Sequence, residues 1–185
     1  MAGMQVRVEG YLDACPGELL EFDFGPLSHW GVYVGEGEVI HFSWPEDTEA
    51  WIRHSAPSII LFSETMVRKE RVADIAGISA VYTNRSYDLV LPPLPGTEIL
   101  RRGQVFMDRT LPYNSLTFNC EHFATFLRYG KAQSRQVSRF DLLHLTSHDP
   151  TREFKKAYRQ ALKDQHAKGI LISVLEDQPR QGCNI

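Results

Sequence analysis

The clearest structural signal in the chain is the stretch His29-Trp30-Gly31-Val32-Tyr33-Val34-Gly35-Glu36-Gly37-Glu38-Val39-Ile40-His41-Phe42-Ser43. Two runs rich in β-branched and aromatic residues flank a loop that is bounded by glycines. This pattern predicts a β-hairpin with Gly35-Glu36-Gly37 as a three-residue loop. The loop length sets the strand register, and the expected pairs are Val34 with Glu38, Gly31 with His41, and His29 with Ser43.

The expected register places two imidazoles on one face of the hairpin. Side chains alternate between faces along a strand, so His29 and His41 share a face as diagonal neighbours, roughly 7 Å apart or less at Cβ. A two-residue loop would instead place the two histidines on opposite faces of the hairpin. Burial favours the three-residue loop, because the apolar side chains then share the other face: Trp30, Val32, Val34, Ile40 and Phe42.

Further strand and turn signals flank the hairpin. Alternating apolar and acidic residues predict a strand over Leu20–Phe24, and Gly25-Pro26 ends it. Short β-type runs occupy Ile59–Phe62 and Val81-Tyr82. We interpret Arg68–Arg71 as a charged turn. The proline-rich stretch from Leu91 to Gly96 breaks regular structure and links two halves of the domain.

Two helices are predicted in the second half. The first begins at Cys120, with Asn119 as the capping residue, Phe123 on its apolar side and Gly130 as the terminating glycine. The second covers 152–168, with apolar residues at helical spacing. Six basic side chains against two acidic ones also fit an interfacial helix on anionic lipid, although a solvated helix packed on the core fits equally well.

Composition restricts the class of protein. The chain has 185 residues, 43% of them hydrophobic and 23% charged, which predicts one globular domain. A formal net charge of −3 removes the basic field that most nucleic-acid binders carry, so we expect no nucleic-acid partner. No apolar stretch approaches a membrane span, and the N-terminus lacks a secretory layout. We expect a cytoplasmic protein and assign no oligomeric state.

The three cysteines are odd in number and irregularly spaced. Cys15, Cys120 and Cys183 suit neither a disulfide framework nor a zinc site, so we expect free thiols. By residue type, Cys120 with His29 and His41 would suit zinc, but their spacing resembles no known ligand signature. We therefore expect no metal and no cofactor.

Cys120 occupies the position of a nucleophile. A thiol in the first turn of a helix meets unpaired backbone N–H groups and the positive end of the helix dipole, which lower its pKa. If the histidine face of the hairpin packs against this turn, one imidazole takes the thiol proton and the other orients the first. The alternative is a buried structural cysteine with structural histidines. His122 is interpreted as a cap or surface residue.

Three blocks resemble the H-ras-like suppressor family, the phospholipase A and acyltransferases related to lecithin:retinol acyltransferase. They are Pro16–Glu21, His29–His41, and Asn119–Phe123 with Leu127–Gly130. The resemblance runs from about Pro16 to Val137. It implies a catalytic domain over 14–137. We expect the C-terminal extension over 138–185 to carry the basic amphipathic helix and no transmembrane span.

The resemblance also implies a fold and a reaction. The fold is α+β, an antiparallel β-sheet packed against helices in a circularly permuted papain-like (NlpC-type) thiol hydrolase arrangement. Cys120 is the nucleophile, His29 the general base and acid, and His41 the residue that orients His29. Cys120 attacks a glycerophospholipid ester, and the acyl group then passes from the thioester to water, an amine or a hydroxyl. No metal or cofactor is implied.

The sequence differs from the family pattern in two places, and two other functions are considered beside the one that the resemblance implies. The apolar run Ile170–Leu175 is too short for the membrane anchor of many relatives, so contact with a membrane is peripheral, through residues 152–168, or absent. Leu27 replaces a tyrosine found in some relatives. The alternatives are a thiol amidase or peptidase, which a polar cleft at Cys120 would favour, and a non-catalytic interaction module.

Overall fold

The computed structural model describes residues 13–26, 28–43, 63–135 and 149–168. The strands are β1 (Leu19–Asp23), β2 (Ser28–Gly35), β3 (Glu38–Phe42), β4 (Ser63–Arg71), β5 (Ala80–Asn84) and β6 (Thr110–Tyr113). The helices of the described ranges are α1 (Val72–Ala76), α2 (Gly96–Phe106), α3 (Cys120–Tyr129) and α4 (Pro150–Ala167). The predicted α+β class is confirmed.

The strands form one antiparallel sheet in the order β5-β1-β2-β3-β4-β6. One face packs against α2, α3 and α4, and its hairpin residues include Trp30 and Phe42. The other face carries a smaller apolar cluster that includes Phe22, Tyr33 and Val39. Both faces are buried around β1, β2 and β3, because each strand carries apolar side chains in both directions.

The hairpin has the predicted pairing near the histidines but a different turn. Gly31 pairs with His41, as expected, whereas Gly35 pairs with Glu38 in place of Val34. The turn is therefore two residues long, Glu36-Gly37, and both have positive φ, 53° and 75°. A β-bulge between Tyr33 and Gly35 absorbs the extra residue and restores the expected register.

The ladder between β2 and β3 also ends earlier than expected. Its paired residues extend to Gly31 and His41, and the predicted pair of His29 with Ser43 is not part of it. The N–H of Ser43 instead donates to the carbonyl of Met66 on β4. His29 therefore lies on β2 beyond the last pair that β2 forms with β3.

Two predictions for the neighbouring strands need correction. β1 begins and ends one residue before the predicted strand. Arg68–Arg71 is not a turn but the end of β4, because its charged side chains are accommodated by cross-strand partners, such as Glu38 with Lys69 at 2.6 Å. The predicted run at Val81-Tyr82 lies in β5. The predictions for Ile59–Phe62, Leu27 and Ile170–Leu175 concern positions outside the described residues.

α3 has both predicted caps. The side chain of Asn119 accepts a hydrogen bond from the N–H of His122, and the Nδ1 of His122 accepts one from the N–H of Asn119. Gly130 ends the helix with a φ of 68°. These contacts fix where the helix begins, and Cys120 is its first residue.

The apolar stripe of α4 is buried in the core. Phe154 is fully buried, and its ring stacks on Phe118 at a centroid distance of 3.9 Å and on Phe126 at 5.3 Å. Arg109 further ties the helix to the β6 side through a 2.7 Å ion pair with Asp164. Of the two interpretations of residues 152–168, the contacts favour the helix packed on the core, because its apolar side chains are already covered.

Two further observations concern the cysteines and the helices of the described residues. Cys15 is disulfide-bonded, so the expectation of free thiols is wrong for this residue, because an odd number of cysteines still permits one bridge. Cys120 is a free thiol. Within the described ranges, no helix has the length and apolarity that crossing a membrane requires.

Candidate active site

His29 and His41 form a direct hydrogen bond. Nε2 of His29 lies 2.8 Å from Nδ1 of His41, and the rings meet edge to face at a centroid distance of 5.0 Å. Both side chains are buried, and His29 also contacts the ring of Phe22. Burial, reinforced by the neighbouring His41, holds the pKa of His29 well below its usual value. The ring is therefore neutral at physiological pH and can accept a proton.

Gly31 makes room for the imidazole pair. It is the residue on β2 opposite His41. A methyl group at this position would lie 2.5 Å from Cγ2 of Val39 and 3.1 Å from Cβ of His41. Any other residue would push β3 or the His41 ring away, so the glycine allows the two rings to meet.

Glu70 extends the pair on the side away from His29. Oε2 of Glu70 lies 3.2 Å from Nε2 of His41, and the hydrogen bond from His41 lowers the pKa of Glu70. A carboxylate favours the His41 tautomer with its proton on Nε2, which leaves Nδ1 as the acceptor for the Nε2–H of His29. Nδ1 of His29 is then the nitrogen that carries a lone pair, as a general base requires.

Cys120 is brought to the backbone of β2 beside His29. Its sulfur lies 4.0 Å from the carbonyl oxygen of Ser28 and accepts a backbone hydrogen bond from Trp30. The helix itself packs differently from our expectation. α3 lies against the apolar face that carries Trp30 and Phe42, not against the histidine face, because its buried side chains match the larger cluster. The contact with β2 is made by the first residue of α3.

Burial dominates the ionisation of Cys120. The side chain is 2% exposed, and burial raises the pKa of the thiol to about 12. Backbone N–H groups of Trp30 and Glu121 and the hydroxyl of Tyr113 act in the opposite direction by hydrogen bonding to the sulfur, but they do not compensate. The expectation of a lowered pKa is therefore wrong: the helix N-terminus is present, and desolvation outweighs it.

Tyr113 is a further neighbour of Cys120 and is not among the predicted site residues. It is the last residue of β6, is buried, and hydrogen-bonds to the sulfur. Burial raises its own pKa well above the usual value, so the phenol keeps its proton and remains a donor. The only signal in the sequence was that Tyr113 is aromatic, and this does not distinguish it from ordinary core residues.

The residues after Cys120 anchor the start of α3. The carboxylate of Glu121 is fully buried and accepts hydrogen bonds from the hydroxyls of Tyr87 and Ser134 and from the N–H of Arg135. His122 forms the capping contacts described above, so the cap interpretation is confirmed, and the residue is buried. Both side chains hold the first turn, on which the position of Cys120 depends.

An apolar groove lies beside Tyr113. It runs between β6 with its following loop and α4, encloses about 550 Å³, and has mostly apolar walls that include Leu111, Phe118 and Ala157. Its polar rim includes Glu153 and Lys156. Within the described part of the chain, no group of three histidine, cysteine, aspartate or glutamate side chains is arranged to hold a metal ion.

Comparison with known proteins agrees with the resemblance. The model of the family described as "Lecithin retinol acyltransferase" matches residues 13–133. The chain is 38% identical to phospholipase A and acyltransferase 1 of Homo sapiens over 125 residues, which cover 68% of this chain and 73% of the relative. It is 37% identical to phospholipase A and acyltransferase 3 of the same organism over 123 residues, covering 66% and 75%. The chain belongs to the lecithin retinol acyltransferase family.

Proposed function

We propose that the protein is a thiol-dependent phospholipase A1/A2 and acyltransferase that acts on glycerophospholipids through an acyl-cysteine intermediate. The observation that carries the proposal is the buried hydrogen bond between His29 and His41, with the sulfur of Cys120 against the adjoining backbone of β2. The names of the relatives support the phospholipid substrate.

In the first half of the reaction, the sulfur of Cys120 attacks the ester carbonyl carbon of the phospholipid. Nδ1 of His29 takes the thiol proton as the carbon–sulfur bond forms. Because burial keeps the thiol protonated, proton transfer and attack belong to one step rather than following a preformed ion pair. Backbone N–H groups of Trp30 and Glu121, which point to the sulfur, are the candidates for stabilising the oxyanion.

Collapse of the tetrahedral intermediate breaks the carbon–oxygen bond. His29 returns its proton to the departing lysophospholipid oxygen, and the acyl group remains on Cys120 as a thioester. Water, an amine such as that of phosphatidylethanolamine, or the hydroxyl of a lysophospholipid then attacks the thioester. His29 removes the proton of this acceptor and passes it to the departing sulfur, which restores the thiol.

The circularly permuted papain-like fold is part of the proposal. A helix that begins at the nucleophilic cysteine and a sheet strand that carries the base support it. We assign the catalytic domain to residues 14–137 and a C-terminal extension to 138–185. In this division α4 belongs to the extension, although its apolar side is buried in the same core.

The apolar groove distinguishes the proposal from a thiol amidase or peptidase. A hydrophilic peptide substrate would be served by a polar cleft near Cys120, whereas acyl chains require an apolar one. Leu111, Phe118 and Ala157 line the groove, and it adjoins Tyr113, a partner of the sulfur. A non-catalytic interaction module is the second alternative, and it gives no reason for a buried imidazole pair on the hairpin whose backbone contacts the thiol.

Access to the lipid is proposed to occur at a membrane surface from a cytoplasmic location. Basic side chains of α4 such as Arg152, Lys155 and Arg159 are exposed, whereas Phe154 and Ala161 are buried in the core. Contact with the membrane through residues 152–168 would therefore be electrostatic and peripheral, and salt would weaken it.

The test is incubation of the purified protein with phosphatidylcholine vesicles, with and without phosphatidylethanolamine. The expected products are lysophospholipid, fatty acid and, with phosphatidylethanolamine present, its N-acyl derivative. Cys120→Ala and His29→Gln should each abolish all three, and Cys120→Ala should not change the fold by circular dichroism. Full product formation by Cys120→Ala would overturn the thiol mechanism.

A further inference from the structure

The groove beside Tyr113 is built in part by a segment outside the family match. One wall comes from β6 and the loop after it, which includes Leu111 and Phe118, and the other comes from α4. The match with the family ends at residue 133, whereas α4 begins at Pro150. One wall of a groove that adjoins the candidate active site therefore comes from residues outside the family match.

The groove wall formed by α4 carries two opposite charges. Glu153 and Lys156 both line it, and because they are three residues apart they lie next to each other on one side of the helix. Within the described residues, neither side chain enters a salt bridge, whereas Asp164 on the same helix pairs with Arg109. A carboxylate and an ammonium group are thus available side by side at the rim of an apolar groove.

A zwitterionic phospholipid complements this arrangement. Its phosphate matches the ammonium group of Lys156, its quaternary or primary ammonium matches the carboxylate of Glu153, and an acyl chain matches the apolar walls. A volume of about 550 Å³ lies in the range of ligand sites and suffices for part of one lipid. An anionic headgroup would satisfy Lys156 and be repelled by Glu153.

We propose that α4 forms a phospholipid-binding subsite in which Lys156 binds the phosphate and Glu153 the ammonium of a zwitterionic headgroup. The acyl chain lies in the groove along Leu111 and Phe118. The subsite rests on the proposed function, because its connection to chemistry is Tyr113, which lines the groove and hydrogen-bonds to the sulfur of Cys120. Glu153 thereby determines the preference for zwitterionic over anionic lipids.

Binding is measured on the Cys120→Ser variant, so that turnover does not interfere. Monomeric dihexanoylphosphatidylcholine and dihexanoylphosphatidylglycerol are titrated by calorimetry. Lys156→Gln should weaken binding of both lipids about tenfold, because both contain the phosphate. Glu153→Gln should weaken the choline lipid several-fold and leave the glycerol lipid equal or tighter. Lys155→Gln is the matched control, since Lys155 is exposed on the same helix and does not line the groove.

A second variant blocks the groove itself. Ala157→Trp fills the space between the walls and should remove binding of both lipids, with thermal unfolding used to verify that the protein folds. The subsite is overturned if Lys156→Gln binds as Lys155→Gln does, if Glu153→Gln leaves the preference unchanged, or if folded Ala157→Trp still binds.

Turnover by the otherwise unmodified chain separates this proposal from the proposed function. Lipid binding that follows the expected variant pattern, without release of fatty acid, would keep the subsite and reject the enzyme. Release of fatty acid with a KM that the groove variants do not change would keep the enzyme and reject the subsite.

Discussion

The Nε2 atom of His29 lies 2.8 Å from the Nδ1 atom of His41, inside the protein and away from water. This bond determines which ring nitrogen is left for chemistry. Because Nε2 of His29 is committed to its neighbour, Nδ1 is the ring nitrogen left to take up a proton, and in the proposed mechanism that proton comes from the Cys120 thiol. The buried pair therefore acts as a single oriented base in the proposed mechanism.

Glu70 should act as a positioning residue for this pair. Its carboxylate lies 3.2 Å from Nε2 of His41, holds that ring by a hydrogen bond and, through it, would stabilise a proton taken up by His29 in the proposed reaction. In Glu70→Gln we expect kcat/KM to fall up to about tenfold and the acidic limb of the pH–rate profile to move to lower pH, by less than about one unit because Glu70 is partly exposed. The pH dependence of fatty acid release measures both effects.

Glu38→Gln is the matched control for Glu70→Gln. It removes a carboxylate of the same sheet that pairs with Lys69 rather than with an imidazole. This variant should retain the wild-type profile. Identical profiles for the two variants would show that Glu70 has no positioning role.

Cys120 should behave as a protonated thiol across the neutral range. Burial raises its pKa to about 12, so the thiolate fraction grows tenfold for each pH unit below that value. Alkylation of Cys120 by iodoacetamide, followed by peptide mass spectrometry, should accelerate from roughly pH 5 to 9 without reaching a plateau. A pH-independent rate in the acidic part of this range would reveal a thiolate–imidazolium pair instead.

His29 should make the fold sensitive to acid. Its pKa is depressed in the folded protein and close to 6.5 when unfolded, so below that pH the unfolded chain binds a proton that the folded chain rejects. The free energy of unfolding should therefore decrease as the pH falls below about 6.5, by up to about 1.4 kcal/mol per unit. Urea denaturation at several pH values should give a shallower decrease for His29→Gln, and equal slopes would refute the linkage.

Phe154 tests whether α4 is part of the core. Its ring is fully buried between Phe118 and Phe126, so Phe154→Ala should lower the free energy of unfolding by about 3 to 5 kcal/mol. The adjacent exposed residue provides a control, and Lys155→Ala should change it by less than about 0.5 kcal/mol. If α4 instead left the core for the membrane, denaturant titrations would give similar, small changes in the free energy of unfolding for Phe154→Ala and Lys155→Ala.

The sequence predicted the main elements of the site because their signals are local. Caps at Asn119 and Gly130 located α3, and alternation of apolar residues located the hairpin. The predicted strand register near His41 is correct, although the three-residue turn from which it was predicted is not the turn that the structure has. Burial of one apolar face fixes which residues pair, and the bulge after Tyr33 adjusts the turn to that requirement.

The parts that escaped prediction depend on contacts between distant segments. Glu70 was assigned to a charged turn, because a strand whose charges are paired across the sheet has no apolar alternation to reveal it. α2 was not predicted, although Ile99, Leu100 and Gly103 follow helical spacing after the proline-rich stretch. The raised pKa of Cys120 likewise reflects tertiary burial, which no local pattern reports.

The most direct measurement is the mass of the peptide that contains Cys120 after rapid acid quenching of the protein with phosphatidylcholine. We predict an increase equal to one acyl chain on Cys120, reversed by hydroxylamine, that appears before free fatty acid accumulates. Release of fatty acid at the wild-type rate by Cys120→Ser, or an acyl group on another residue with Cys120 unmodified, would contradict it.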